Sequence, residues 1–240
     1  MDTRRLGLVL AIGLIVAGAP APAAAQGGGR SGGGPAPVGA ASTDASMPEV
    51  ELPLSPPGQA AIQVGGTWTE TGGGRRYTGG RWIVVDYSRP LLRGRENIFG
   101  SGADYGTTVE DGAPVWRAGA NATTTLTTQV PIVVGGTTLP PGVYNVFADL
   151  APGEWTFILS NQPRQPRYDP NDRVLLYGAI NYDPSFELAR VRMPVEQIDE
   201  PAGVRIEQFT ISLLRAGERE VLLQMAWDRT VATATIELAQ

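Results

Sequence analysis

The sequence contains no cysteine and no histidine, and its basic side chains are all arginine, because lysine is absent as well. Without histidine or cysteine, neither a Ser-His-Asp triad nor a thiol nucleophile can form, and metal sites built from imidazole or thiolate are excluded. The absence of lysine removes Schiff-base chemistry and the Walker lysine. The catalytic options that remain are a pair of carboxylates or electrophilic assistance from tyrosine or arginine. The composition therefore argues against an enzyme of a common type, and no catalytic residue is assigned.

The N-terminus has the pattern of a secretory signal peptide. Arg4 and Arg5 precede an apolar run, and a small-residue cleavage site follows just before Gln26. The apolar run is short for a bilayer span, and no cysteine follows it as a lipoprotein would require. We therefore predict a signal peptide over residues 1–25 and an exported protein, periplasmic or extracellular, with no stable membrane insertion after cleavage.

The composition changes at about residue 60. Residues 26–59 are rich in Gly, Pro and Ala and lack aromatic side chains, so we predict a disordered linker there. From Ala60 onward, short β-rich runs alternate with turn residues, which is typical of a sandwich or barrel. Residues 60–240 are thus predicted to be one all-β domain, an antiparallel β-sandwich of about nine or ten strands for which a jelly-roll is one candidate arrangement. With no cysteine, this domain must be stable without disulfides.

Alternation of apolar and polar residues predicts the strands and the core. One strand is expected over Ile62–Glu70 and another over Trp82–Tyr87. Near Glu207 and Gln208 the apolar residues change from one set of alternate positions to the other, which predicts a β-bulge there. Residues 161–186 show little periodicity and are expected to be a long loop. The side chains expected in the core are Trp82, Phe147, Trp155, Phe157, Phe209, Ile211, Trp227 and Ile236.

Charge and acidic motifs limit the possible partners. The formal net charge is −5 at pH 7, which does not favour nucleic acid or an anionic membrane surface. Asp169, Asn171 and Asp172 have the spacing of the start of a calcium loop, but the glutamate that an EF-hand needs is missing. A solvated turn is the better interpretation. We therefore predict no metal, no cofactor and no nucleic-acid partner.

Two connections combine arginine with aromatic residues and glycine: residues 86–95 and residues 115–121. In a functional interpretation, their guanidinium groups converge on a small anionic or carbohydrate ligand, and Trp116 forms a stacking wall. In a structural interpretation, the arginines pair with acidic neighbours (Asp86, Glu96 or Asp104) or bond to loop carbonyls. Both interpretations stay open at this stage. The candidate ligand-binding residues are Tyr87, Arg89, Arg95, Tyr105, Trp116, Arg117 and Asn121.

Five sequence blocks identify a related family. The blocks are DYSRPLLRGR, VWRAGANATT, LPPGVYNVF, EWTFILSN and YGAINYDP, and in this order they resemble the bacterial family called domain of unknown function 2911. The resemblance covers about residues 60–238 and implies an exported or envelope-associated β-rich protein with no established activity or catalytic residue. Between Gly106 and Trp116 the chain departs from the family pattern, because TTVEDGAPV replaces a shorter link.

Three functions are consistent with these observations. We favour a ligand-binding or structural module of the bacterial envelope, because most common catalytic groups are missing. The first alternative is a carboxylate-dependent glycan hydrolase, which would need two opposed Asp or Glu side chains in a cleft. The second is an envelope assembly subunit, which an exposed apolar patch or an unpaired edge strand would support. The oligomeric state is left open.

Overall fold

The computed structural model describes residue 51 and residues 53–198 and 205–239. The predicted signal peptide and most of the predicted linker lie outside these residues. None of the helices within the described ranges combines the length and the hydropathy that crossing a bilayer requires.

The described residues form thirteen strands, one short helix and two single turns of 3₁₀-helix. The 3₁₀ turns are Gly102–Asp104 and Pro184–Phe186, and α1 is Thr107–Glu110. The strands are β1 (Pro57–Val64), β2 (Thr67–Thr71), β3 (Gly74–Thr78), β4 (Arg81–Ser88), β5 (Thr125–Thr128), β6 (Ile132–Val134), β7 (Thr137–Leu139), β8 (Gly142–Asp149), β9 (Glu154–Ser160), β10 (Glu187–Gln197), β11 (Ile206–Arg215), β12 (Glu220–Asp228) and β13 (Thr230–Leu238).

Nine strands follow one another in a single hydrogen-bonded path, in the order β1-β4-β5-β8-β9-β10-β13-β12-β11. Every strand pair is antiparallel. The β6–β7 hairpin adds to this sheet beside β13, whereas β2 and β3 form a separate two-stranded ribbon. The two edge strands, β1 and β11, come into contact, so the sheet nearly closes into a barrel-like sandwich. The predicted antiparallel all-β class is confirmed.

At the seam where the sheet closes, a short backbone pairing and several side chains join β11 to β4 and to the residues that follow β4. Phe209 N–H donates to Pro90 O at 2.9 Å, beside a bridge between Leu91 and Gln208. Further along β11, the Tyr87 hydroxyl accepts a hydrogen bond from Ile211 N–H at 2.9 Å and donates to the Ile211 carbonyl at 3.4 Å. The phenol hydroxyl therefore bonds to the N–H and C=O groups of Ile211, which would otherwise need a neighbouring strand as their partner.

Tyr87→Phe should lower the free energy of unfolding by about 1–3 kcal/mol, because the buried Ile211 N–H would lose its partner. Denaturant unfolding of the purified chain measures the change. Tyr168→Phe is the matched control, since Tyr168 is 50% exposed and makes no hydrogen bond through its hydroxyl among the described residues. Equal stability of the two variants would contradict this role for the phenol.

An aromatic cluster fills the interior between the walls of the sheet. Its ring centroids lie 4.8 to 6.3 Å apart, and most pairs meet edge to face. The members are Phe99, Trp116, Trp155, Phe209 and Trp227. Seven of the eight side chains predicted for the core are buried, which confirms that part of the prediction.

Trp82 is the exception, with 42% of its surface exposed. On β4 the side chains of Ile83, Val85 and Tyr87 point into the core, so Trp82 and Val84 lie on the opposite face. The prediction that Trp82 is buried is wrong, because its position in the strand places it on the face that does not point into the core.

The long loop of residues 161–186 covers the outer face of β8 and β9. Phe147 and Ile158 point away from the interior and pack with Leu176 and Ala179 of this loop. Both faces of the two strands are therefore buried, which explains their nearly continuous apolar sequences.

The acidic motif in this loop forms turns. The Asp169 carboxylate accepts Asn171 N–H at 2.9 Å, and the Asp172 carboxylate accepts Val174 N–H at 2.8 Å and Leu175 N–H at 2.9 Å. The backbone donors hold the pKa of Asp172 below its ordinary value. Both carboxylates thus act as the turn-forming side chains expected from the sequence.

Strand boundaries differ from the prediction near the start of the domain. β1 begins at Pro57, inside the segment predicted as linker, because residues 57–59 pair with residues 86–88 of β4. The predicted strand Ile62–Glu70 is divided between β1 and β2, which belong to different sheets. The predicted bulge is confirmed, since the pairing of β11 with β12 shifts register between Ile206 and Thr210.

Candidate functional site

The two arginine-bearing connections and α1 border one cavity of about 290 Å³. We call it the arginine cavity. It is lined by Pro90, Arg95, Thr108, Val109, Asp111, Trp116, Arg117, Gly119, Ala120 and Trp227. Three of the seven candidate residues, Arg95, Trp116 and Arg117, therefore meet at one place.

Pairing with β8 positions Trp116 at the floor of the arginine cavity. Trp116 N–H donates to Ala148 O at 2.8 Å, and Ala148 N–H donates to Trp116 O at 2.9 Å. The side chain enters the aromatic cluster and is only 1% exposed, with its indole N–H donating to Gly119 O at 3.3 Å. Trp116 is therefore mainly a core residue that presents a small part of its surface to the cavity.

Arg117 extends beside the loop that follows it, and its side chain is 17% exposed. One guanidinium nitrogen donates to the Asn121 carbonyl at 3.5 Å, and another lies 3.4 Å from the Asp111 carboxylate. Both distances are long for hydrogen bonds, and the Asp111 side chain is 79% exposed. Solvent screening therefore weakens this ion pair, and the positive charge of Arg117 is only partly neutralised.

Arg95 is the second cation of the arginine cavity. It donates to the Leu92 carbonyl at 2.9 Å and to the Leu91 carbonyl at 2.6 Å, and its guanidinium carbon lies 5.6 Å from the centroid of the Trp227 ring. Within the described ranges it has no carboxylate partner. Its orientation is thus set by carbonyls and an aromatic face, which leave its charge unpaired.

The backbone around the arginine cavity contains unusual conformations. Three non-glycine residues have positive φ angles: Asp111 at 55°, Ala118 at 48° and Asn121 at 59°. Such conformations cost free energy and concentrate at functional sites. Their clustering beside Arg117 supports a role for this region beyond connecting strands.

Two candidate residues belong to the seam of the sheet and do not line the arginine cavity. Tyr87 bonds to β11 as described above. Arg89 donates to the Phe209 carbonyl at 3.4 Å and to the Thr210 hydroxyl at 3.2 Å. Both side chains hold β11 in place, so their contacts are those of the structural interpretation.

Tyr105 and Asn121 also lie outside the lining. The Tyr105 hydroxyl accepts a hydrogen bond from the Trp155 indole at 2.9 Å, and burial raises its pKa, so the phenol stays neutral. Asn121 is exposed and contributes its backbone carbonyl to Arg117. Neither side chain therefore contributes to the arginine cavity.

The acidic partners of the cavity differ from those considered in the sequence. Asp86 accepts a hydrogen bond from the Gln59 amide at 2.7 Å. Neither it nor Glu96 nor Asp104 forms an ion pair with any arginine in the described part of the chain. Asp111, the acid that does pair, lies in the segment between Gly106 and Trp116.

Glu110, the last residue of α1, gives a prediction about pH. Its pKa is raised by burial and, secondarily, by repulsion from Asp149. A carboxyl whose pKa is higher in the folded than in the unfolded state makes stability fall as the pH rises from its ordinary pKa through the raised one. Glu110→Gln should therefore raise stability at neutral pH, by less than about 1 kcal/mol because the group is only partly buried and solvent screens its charge.

Denaturant unfolding at acidic and at neutral pH tests this expectation. The gain from Glu110→Gln should disappear in acid, where the wild-type carboxyl is protonated. Glu218→Gln is the control, since Glu218 is exposed and has no ion pair in the described ranges. A Glu110→Gln variant that is less stable than wild type at neutral pH would refute the argument.

Fold and cavity together define an antiparallel, barrel-like β-sandwich protein with a basic cavity walled by tryptophan. The profile of the family described as "Protein of unknown function (DUF2911)" matches residues 74–236, which is more than half of the chain. The chain belongs to this family, which confirms the resemblance inferred from its sequence blocks. Searches among curated proteins and among solved structures returned no match.

Proposed function

We propose that this protein is a ligand-binding module of the bacterial envelope and that the arginine cavity binds a small anionic ligand. The observation that carries the proposal is that the guanidinium groups of Arg95 and Arg117 line one cavity. Of the two, only Arg117 has an ion pair, in which its guanidinium nitrogen lies 3.4 Å from the Asp111 carboxylate. Unneutralised guanidinium groups favour a carboxylate or phosphate, which they can bind through two parallel hydrogen bonds.

The walls of the cavity agree with a small ligand. Trp116 and Trp227 supply apolar surface, and Thr108 adds a hydroxyl group. A volume of about 290 Å³ corresponds to the lower end of small-molecule sites. A compact anion fits this combination best.

Binding of three probes to the full chain tests the proposal: inorganic phosphate, citrate and benzoate, measured by isothermal titration calorimetry. At least one should bind, and Arg117→Gln should weaken its binding by about tenfold or more, the cost of losing a charged hydrogen bond. The melting temperature should hardly change, because the ion pair with Asp111 is weak.

Arg173→Gln is the matched control, since Arg173 is exposed, has no carboxylate partner among the described residues and does not line the arginine cavity. It should bind the probe as wild type does. The proposal fails if none of the probes binds. It also fails if Arg117→Gln keeps full affinity, or if it lowers stability by several kcal/mol, as a purely structural arginine would.

The hydrolase alternative has less support from the arrangement of carboxylates. The arginine cavity is lined by a single one, Asp111. Elsewhere, Asp149 and Glu187 approach each other through Arg190, which lies 2.6 Å from the first and 2.9 Å from the second, and Tyr182 donates to Glu187. Because Asp149 and Glu187 share Arg190, and Tyr182 also donates to Glu187, these side chains link β8 to β10 within the protein.

The assembly alternative would be supported by an exposed apolar patch or by an unpaired edge strand. On β11 the backbone at residues 207–211 bonds to the chain after β4 and to Tyr87, so this stretch has little left to offer another strand. The ligand-binding proposal therefore takes precedence.

A further inference from the structure

The β2–β3 ribbon presents aromatic side chains outside the large sheet. Trp68 on β2 and Tyr77 on β3 are paired in register, so both lie on one face of the ribbon, with their ring centroids 5.1 Å apart. Trp68 is 54% exposed. Contiguous exposed apolar surface can mark a binding site.

The aromatic face of the ribbon borders a cleft of about 350 Å³ against the large sheet. We call it the aromatic cleft. It is lined by Ile62, Gln63, Trp68, Tyr77 and Arg215. None of these residues lines the arginine cavity, so an inference about the cleft is independent of the function proposed above.

The rings are held in place before any ligand binds. The Tyr77 hydroxyl accepts Gly66 N–H at 2.8 Å, and its ring packs so closely on Gly66 that a side chain there would lie 2.5 Å from the ring. The Arg75 guanidinium lies 5.6 Å from the centroid of Trp68 and pairs with Glu70 at 3.1 Å. A preorganised aromatic wall loses little entropy on binding.

Two polar groups of the cleft have unused hydrogen-bonding capacity. Arg215 donates to the Tyr77 hydroxyl at 3.3 Å and to the Gln63 carbonyl at 3.4 Å, both long distances, and it has no carboxylate partner within the described ranges. The Gln63 side-chain amide makes no hydrogen bond to any described residue. An unneutralised cation and a free amide thus lie beside two aromatic rings.

We propose that the aromatic cleft binds an acidic glycan, through a sugar ring that carries a carboxylate. The C–H face of a sugar ring can pack on the exposed surface of the Trp68 ring. Its hydroxyl groups match the donor and acceptor of the Gln63 amide, and its carboxylate matches the Arg215 guanidinium. This charge complementarity favours an acidic glycan over a neutral one.

Titration calorimetry with the full chain tests the proposal, using oligogalacturonate and its methyl-esterified form as probes. Oligogalacturonate should bind, and the ester should bind about tenfold more weakly, because it lacks the charge that pairs with Arg215. Trp68→Ala should weaken oligogalacturonate binding by about tenfold or more, as the loss of an aromatic anchor does. Arg215→Gln should abolish the preference for the acid over the ester.

Tyr168→Ala is the control for Trp68→Ala, since Tyr168 is similarly exposed but does not line the cleft. Arg117→Gln, in the arginine cavity, should leave oligogalacturonate binding unchanged, which separates the two sites. Absence of oligogalacturonate binding would overturn the proposal. So would wild-type affinity in Trp68→Ala, or an unchanged preference for the acid in Arg215→Gln.

Discussion

Replacing Trp116 with alanine is expected to lower the free energy of unfolding by about 3–5 kcal/mol, the usual cost of removing a large aromatic side chain from a core. Trp116 is 1% exposed and contacts the rings of Phe99, Trp155, Phe209 and Trp227. The cavity left behind would be walled by rigid rings, which can collapse into it only partly.

Denaturant unfolding of the purified chain measures this loss. Trp82→Ala is the matched control, because Trp82 is 42% exposed and its removal should change stability by no more than about 1 kcal/mol. If Trp116→Ala were as stable as wild type, the aromatic cluster would not be the core of the domain. A variant that folded normally and lost only ligand affinity would make Trp116 a binding residue alone.

Gly135→Ala is expected to lower the free energy of unfolding by about 2–5 kcal/mol. Gly135 lies in the turn between β6 and β7 with φ at +57°, which costs about 1–2 kcal/mol for any residue with a side chain. A Cβ atom at this position would also lie 2.0 Å from the Arg190 carbonyl oxygen of β10. Because that atom belongs to the backbone of a central strand, relief of the clash requires the strand or the hairpin to move, which costs about 1–3 kcal/mol more.

The neighbouring glycine provides the control. Gly136 has φ at +80° but no atom within 4 Å of the position where a Cβ would be. Gly136→Ala should therefore cost only the conformational part, about 1–2 kcal/mol. Comparing the two variants by denaturant unfolding separates backbone strain from steric contact. Equal losses would mean that the hairpin does not pack closely on β10.

Much of the fold could be predicted because strand alternation is a local property. The residues of β13 alternate between the two faces, and the burial of its Ile236 was predicted correctly, as was the bulge in β11. Trp82 was misassigned although the same rule, applied to Ile83 and Val85, places it outside. The start of β1 could not be found in this way, because residues 57–59 are ordered by pairing with β4 and not by their own apolar content.

The candidate site was only partly predictable. Connections that combine arginine with an aromatic residue and glycine predicted Arg95, Trp116 and Arg117 as site residues, and these three residues do share a cavity. The same composition also selected Tyr87 and Arg89, which instead bond to β11. Nothing local distinguishes the two groups, because the difference lies in which distant strand each side chain reaches.

The sequence by itself determined the antiparallel all-β class, the family and the absence of histidine, cysteine and lysine chemistry, since these depend on composition and short-range periodicity. Only the tertiary structure decided how the sheet closes and which arginines keep an unpaired charge. Arg95 bonds to carbonyls of its own loop, whereas Arg205 meets Asp228 at 2.7 Å from another strand. The carboxylate that neutralises Arg205 is distant in the chain, and folding alone brings the two groups within reach.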